Sequence, residues 1–127
     1  MRNKILVVAS NYYKDITKKL INSACKKLNN YDYKIIYVPG IFEIPVTIAK
    51  NMNKYQGFIA LGCVIKGKTY HFELISNSTT LGIMNLSIKY KKPIGDGIIS
   101  SFNKAQAIKR TNKGKEAAEA VISILEQ

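Results

Sequence analysis

Short apolar segments alternate with amphipathic segments along almost the whole chain, and this alternation limits the folds that it can adopt. The apolar segments end at charged or turn residues, which is typical of buried strands, and they cover residues 4–9, 33–38, 57–65 and 94–100. Apolar side chains recur at helical spacing in residues 15–29, 42–53, 71–90, 103–110 and 113–126, the last two as separate helices or as one kinked helix. The order βαβαβαβα predicts a three-layer αβα fold of the α/β class, with a four-stranded parallel sheet between two layers of helices.

The length of 127 residues predicts a single domain that spans residues 1–127. Apolar residues make up 46% of the chain, enough for a folded core, and no apolar run approaches the ~18 residues that cross a membrane. The first apolar run, residues 5–9, is shorter than that of a secretory signal peptide, so we expect the first strand there. The two cysteines, Cys25 and Cys63, have neither metal nor redox spacing, which favours a location in the reducing cytoplasm.

The chain is strongly basic, with 20 Lys and Arg residues against 8 Asp and Glu residues and a net charge of +12. Only Arg2 and Arg110 are arginines, whereas sites that bind phosphate through a fork of N–H groups favour arginine. The charge therefore has two interpretations, a solvated lysine surface or the attraction of an anionic ligand or nucleic acid. Because no RNA-binding signature and no helix-turn-helix pattern is evident, we expect no nucleic-acid partner. Because no apolar run is long enough to cross a membrane, we expect no membrane partner either.

The loop after the third predicted strand is rich in groups that could bind an anion. In parallel α/β sheets, ligands bind at the carboxyl ends of the strands, and residues 63–71 follow such an end. Lys66, Gly67, Lys68 and Thr69 precede a helix N-terminus, whose free N–H groups and dipole favour a phosphate. The alternative is an ordinary basic loop in which Thr69 caps the helix, and the spacing is not that of a Walker loop.

His71 is the only histidine of the chain and lies at the start of the same predicted helix. An imidazole has a reference pKa of about 6.5, so this side chain can give and take protons near neutral pH. The alternative role is that of a surface or capping histidine. A lone histidine gives little support for a metal site, and we expect none.

Further polar and aromatic residues follow the first and second predicted strands. Glu43 could accept hydrogen bonds from ligand hydroxyls, or it could stabilise the first turn of a helix. Tyr12 and Tyr13 could stack on a planar ring, or they could lie at the rim of the core. Near the last two helices, Arg110 could bind a phosphate as a fork or pair with a helix C-terminus.

Three segments carry a resemblance to a known family: VPGIFEIP at residues 38–45, ALGCVIKGKTYHFE at 60–73, and QAIKR followed by NKG at 106–114. Together and in this order they resemble the 6,7-dimethyl-8-ribityllumazine synthases, which have a flavodoxin-like fold. The resemblance implies a transferase that needs no cofactor and no metal and catalyses the penultimate step of riboflavin biosynthesis. In that step, 5-amino-6-(D-ribitylamino)uracil condenses with 3,4-dihydroxy-2-butanone 4-phosphate, with release of phosphate and water.

The resemblance also implies roles for particular residues. Proton transfer is implied at His71, and binding of the butanone phosphate at Lys68, Thr69 and Arg110. Binding of the ribitylaminouracil is implied at Tyr12, Ile41, Phe42, Glu43, Cys63, Val64, Ile65, Asp96 and Lys113. The implied assembly is a homopentamer with active sites between adjacent subunits, which some family members extend to a shell of twelve pentamers, and riboflavin synthase is an implied partner.

Four positions depart from the family pattern. Asn11 stands where Arg is common, and Tyr13 stands where Asn is common. Asp96 replaces a Phe that often reaches the ring from the neighbouring subunit, and a carboxylate cannot stack on a ring. The turn before the NKG pattern is shortened to Thr111. These departures leave an alternative open, a flavodoxin-like module that binds a flavin or a phosphorylated metabolite without turnover.

Overall fold

The computed structural model describes residues 3–67 and 71–127 of the chain, except for the side chain of residue 71. Within these ranges the strands are β1 (Lys4–Ser10), β2 (Asp32–Val38), β3 (Gly57–Ile65) and β4 (Ile94–Ser101). The helices are α1 (Lys14–Cys25), α2 (Ile44–Lys50), α3 (His71–Tyr90), α4 (Lys104–Lys109) and α5 (Lys113–Leu125), with a 3₁₀ turn at Ile41–Glu43 before α2. In the described part of the chain, no helix combines the length and the apolar character needed to cross a membrane.

The strands form a parallel sheet in the order β2-β1-β3-β4, which confirms the predicted three-layer α/β fold. β1 and β3 lie at the centre of the sheet and are buried on both faces, which explains why both are almost continuously apolar in sequence. One core lies between the sheet and α1 and α5, and the other lies between the sheet and α2 and α3. Because β2 and β3 flank β1 on opposite sides, the switch point where such sheets bind ligands lies at the carboxyl end of β1.

Helix boundaries differ from the sequence pattern in two places, and a third place is decided between two possibilities. The helix predicted over residues 15–29 ends at Cys25, and a turn follows it. The helix predicted over residues 42–53 is a 3₁₀ turn followed by the shorter α2, which carries Pro45 in its first turn, where a proline is tolerated. Of the two possibilities left open for residues 103–126, separate helices are present: α4 begins after its N-cap Asn103, and residues 110–112 separate it from α5.

Close helix packing explains why β4 has a weak strand pattern in sequence. A side chain at Gly95 would collide with the carbonyl oxygen of Ala117 in α5. At the start of the same helix, a side chain at Gly114 would collide with the carbonyl oxygen of Leu20 in α1. Each glycine therefore lets α5 approach the backbone of a neighbouring element.

α3, which was predicted as a helix over residues 71–90, is apolar on two opposite sides. Ile75 and Ile83 point towards the sheet and pack in the core with α2. The other side, which we call the α3 outer face, leaves large apolar side chains 54–67% exposed at Leu74, Leu81, Met84 and Ile88. An exposed apolar patch of this kind is typical of an interface with another protein.

Lys92, which lies just before β4, forms hydrogen bonds with the loop after α2. Its Nζ donates hydrogen bonds to the carbonyl oxygens of Met52, at 2.6 Å, and Tyr55, at 2.9 Å. We expect Lys92→Met to lower the free energy of unfolding by about 1–3 kcal/mol, because both carbonyl groups lose a charged donor. Urea unfolding at a fixed protein concentration measures this loss. Lys54→Met, at an exposed position in the same loop, is the control, and an equal loss in both variants would contradict the structural role.

Candidate active site

A cavity of about 540 Å³ lies at the carboxyl ends of β1 and β3, at the switch point of the sheet. The loops that follow β1, β2 and β3 form its walls, together with the first turns of α3. We call it the strand-end pocket, and its lining includes Ser10, Tyr12, Tyr13, Pro39, Gly40, Ile41, Phe42, Glu43, Cys63, Val64, Ile65, Gly67, Phe72 and Ile75. Residues predicted from three separate loops are therefore neighbours, because parallel strands bring their carboxyl ends to one edge of the sheet.

Glu43 has a local structural role in the wall of this pocket. One carboxylate oxygen, Oε1, accepts a hydrogen bond from the N–H of Gly40 at 2.9 Å and so closes the 3₁₀ turn. The carbonyl oxygen of Glu43 accepts a hydrogen bond from the Thr47 hydroxyl at 2.8 Å. A carboxylate has a second oxygen, so a fixed Glu43 can still accept a hydrogen bond from a ligand.

Two tyrosines form the wall on the β1 side of the pocket. Tyr12 is 73% exposed, and its ring contacts the ring of Tyr13 edge to face, with the centroids 4.9 Å apart. Tyr13 packs against the core between the sheet and α1 and α5. Burial raises the pKa of Tyr13, and the neighbouring Tyr12 and Cys63 add to the effect. Tyr13 thus supports Tyr12, whose exposed ring can stack on a planar ligand.

The end of β3 forms the floor of the pocket at Cys63, Val64 and Ile65. The Cys63 thiol is buried. Burial raises the pKa of this thiol to about 11, although a hydrogen bond with Ser101 lowers it in part. The thiol therefore keeps its proton at neutral pH and is not a nucleophile.

Several candidate residues lie outside the described part of the chain. Lys68 and Thr69 are not among the described residues, and the same applies to the side chain of His71. The backbone of His71 begins α3, and Phe72 and Ile75 from the first turns of that helix line the pocket. The start of α3 is therefore beside the pocket.

Asp96, Arg110 and Lys113 lie together at a different place, which we call the β4 edge cluster. Asp96 Oδ1 accepts a hydrogen bond from the N–H of Ile98 at 3.0 Å, and Lys113 Nζ donates to the carbonyl oxygen of Ile98 at 2.6 Å. Arg110 Nη1 donates to the carbonyl oxygen of Ser100 at 3.2 Å. β4 is an edge strand, and these side chains bond to main-chain groups that the sheet leaves unpaired. The cluster does not line the strand-end pocket of its own chain.

Lys66 lies in the chain between two lining residues of the pocket, Ile65 and Gly67. The sequence placed Lys66 in the candidate anion-binding loop and gave Phe102 no role. Lys66 Nζ lies 3.8 Å from Oε1 of Glu73 and 5.3 Å from the centroid of the Phe102 ring. The opposite charges of Lys66 and Glu73 on either side of a loop were a weak signal of this contact. Phe102 gave no signal, because it approaches Lys66 only when β3 and β4 pair.

The sequence profile of a protein family described as 6,7-dimethyl-8-ribityllumazine synthase matches residues 2–127. The 6,7-dimethyl-8-ribityllumazine synthase of Bartonella tribocorum is 39% identical over 98% of this chain and 91% of its own length. Proteins of the same name from Afipia carboxidovorans and Agrobacterium fabrum are 38% and 36% identical, each over 96% of this chain, and over 83% and 92% of their own lengths. A solved structure, the lactose-specific IIB component domain of a phosphotransferase system from Streptococcus pneumoniae, covers 97% of both chains at 15% identity, and its TM-score of 0.37 is too low to support any conclusion.

Proposed function

The chain belongs to the 6,7-dimethyl-8-ribityllumazine synthase family and is a transferase of riboflavin biosynthesis, and we propose that its active site forms between two copies of the chain. The enzyme condenses 5-amino-6-(D-ribitylamino)uracil with 3,4-dihydroxy-2-butanone 4-phosphate to form 6,7-dimethyl-8-ribityllumazine. It is homo-oligomeric, and its substrates are small molecules. We also propose that it works in the cytoplasm without a cofactor, and that riboflavin synthase is a partner because it would consume the lumazine.

The division of the candidate residues between two places on the chain carries this proposal. The strand-end pocket offers apolar and aromatic walls with one carboxylate, and its described lining residues include no Lys or Arg. The β4 edge cluster offers two cations, Arg110 after α4 and Lys113 at the start of α5, which bond to carbonyl groups of the edge strand β4. A phosphorylated substrate needs cations as well as walls that hold its other parts. The pocket of one copy and the edge of a second copy together supply both.

The surface of the chain supports such a contact between copies. The α3 outer face is apolar and exposed, and Phe42 at the pocket is 61% exposed. Several large apolar side chains exposed on one face are typical of an interface with another protein. Because the pocket and the edge are different patches, a contact between them is heterologous, and repeated contacts of this type can close into a ring. We propose a ring of five subunits, as the sequence resemblance implies.

We assign the following roles in the reaction. Tyr12 stacks on the pyrimidine ring, while Phe42 and Glu43 hold the ribityl chain at the 3₁₀ turn. The 5-amino group attacks the ketone carbonyl of the butanone phosphate, and an imine forms with loss of water. Elimination of phosphate, ring closure and a second dehydration then give the lumazine. His71 moves protons in these steps, and Arg110 neutralises charge on the phosphate before it leaves.

Of the remaining candidates, five act mainly through main-chain groups and three contribute side chains. Lys68 and Thr69 precede the N-terminus of α3, where free N–H groups and the helix dipole favour the phosphate. Cys63, Val64 and Ile65 end β3 beside the pocket, and we assign their peptide groups to the edge of the pyrimidine. Ile41 contributes to the ribityl site, and Asp96 and Lys113 approach the pyrimidine from the second copy.

The direct test follows lumazine formation by absorbance after the purified chain is mixed with both substrates. The blank is the uncatalysed reaction, and we expect a rate well above it. A rate equal to the blank, from folded protein that still binds the pyrimidine, would favour a module that binds its ligand without turnover.

Replacement of Arg110 by alanine is expected to affect the KM values of the two substrates differently. We expect KM for the butanone phosphate to rise about tenfold, because the phosphate loses a charged hydrogen-bond donor. KM for the ribitylaminouracil should change much less. Steady-state kinetics with each substrate varied in turn measures both values, and Lys109→Ala, at an exposed neighbouring position, is the control. Equal changes in the two KM values would contradict the assigned role of Arg110.

A further inference from the structure

Lys66, which lies between the pocket-lining residues Ile65 and Gly67, contacts three elements of the fold. Its N–H donates to the carbonyl oxygen of Ser101, at the end of β4, at 2.9 Å. Its Nζ lies 3.8 Å from Oε1 of Glu73, in the first turn of α3, and 5.3 Å from the centroid of the Phe102 ring. Through these contacts Lys66 connects the start of α3 with the carboxyl ends of β3 and β4.

The contacts of Lys66 hold the first turn of α3, the helix that begins at His71, against the ends of β3 and β4. Lys68, Thr69 and His71 all lie between Lys66 and Glu73 in the sequence. An ion pair between Lys66 and Glu73 restricts how far the first turn of α3 can move relative to the end of β3. Catalytic geometry is demanding, since a misplacement of about 1 Å can lower a rate about 100-fold. The contacts of Lys66 can therefore affect the reaction without a contact between Lys66 and the substrate.

We propose that Lys66 is a positioning residue of the lumazine-forming reaction, which holds the start of α3 so that His71 reaches the reacting groups. The inference rests on the proposed function. Lys66 does not line the pocket, so its influence passes through the helix and through His71. Its ion pair with Glu73 and its cation–π contact with Phe102 are both exposed, so their loss should reduce turnover about tenfold rather than abolish it.

Lys66→Met removes the charge and keeps much of the length of the side chain. We expect kcat to fall about tenfold, while KM for the ribitylaminouracil stays close to that of the wild type. Lys66→Arg keeps both the ion pair and the cation–π contact and should restore most of kcat. The matched control is Lys27→Met, which breaks the 3.6 Å pair between Lys27 and Glu119. The side chains of that pair are 40% and 49% exposed, against 45% and 43% for Lys66 and Glu73.

A second measurement does not depend on turnover. Because His71 is the only histidine, its imidazole protons give NMR signals that need no further assignment. We expect these signals to shift in Lys66→Met and to keep their wild-type positions in Lys27→Met. The positioning role would be overturned if the His71 signals had the same positions in Lys66→Met and in Lys27→Met. It would also be overturned if kcat fell no more in Lys66→Met than in Lys27→Met. A wild-type chain that forms no lumazine would contradict the proposed function instead, and the NMR comparison would still decide the role of Lys66.

Discussion

Replacement of His71 by alanine is expected to lower kcat for lumazine formation about 100-fold, the usual contribution of a general acid–base group. His71 is the only imidazole of the chain and begins α3, the helix whose Phe72 and Ile75 line the pocket. Two other titratable side chains of the pocket, Tyr13 and Cys63, are poorly suited to replace His71 in proton transfer at neutral pH. Burial raises the pKa of Tyr13 and raises that of Cys63 to about 11, so both side chains hold their protons at neutral pH.

Steady-state kcat with both substrates saturating measures the effect of this change. His71→Gln is the matched variant, because glutamine keeps hydrogen-bonding groups of similar reach but does not titrate. We expect it to lose about as much activity as His71→Ala, while both variants unfold in urea at the wild-type midpoint. Full activity in either variant would remove His71 from the mechanism.

The order of strands and helices was predictable from the sequence because the two central strands have the same apolar surroundings on both faces. β1 and β3 are covered by helices on both faces, so their sequences are almost continuously apolar. The surroundings of α3 were not predictable in the same way. Helical spacing marks Leu81 and Ile88 as readily as Ile75 and Ile83, although only the second pair packs in the core of a single chain. Periodicity shows which sides of a helix are apolar and does not show what covers them.

The position of the candidate site followed from topology, whereas its contacts did not. Parallel strands bring the loops after β1, β2 and β3 to one edge, so the predicted Tyr12 and Glu43 line one pocket. Phe102 meets Lys66 only because β3 and β4 pair in a register that sets Ile65 opposite Ser101. No local pattern encodes that register. Only the folded chain shows that Lys66 and Phe102 are in contact.

Two variants that each have little activity alone should recover activity when they share an oligomer. His71→Ala damages the pocket side of the proposed site, and Arg110→Glu damages the edge side, because a carboxylate repels the phosphate. In a mixed ring, an intact site forms wherever the pocket of an Arg110→Glu chain meets the edge of a His71→Ala chain. An equal mixture places an intact pocket against an intact edge at about a quarter of the heterologous contacts. We therefore expect about a quarter of the wild-type activity from chains that are refolded together.

The lumazine assay on mixtures of different ratios measures this recovery, and the highest activity should come from equal amounts of the two variants. Each variant refolded alone is the control and should remain close to its own low rate. In a further sample, each variant is refolded and assembled separately before the two are mixed. This sample tests whether the recovery of activity requires an exchange of subunits. If His71 and Arg110 served a site within one chain, every chain of the mixture would carry a damaged site. Activity would then stay low at every ratio, and the proposal of a site shared between two copies would be wrong.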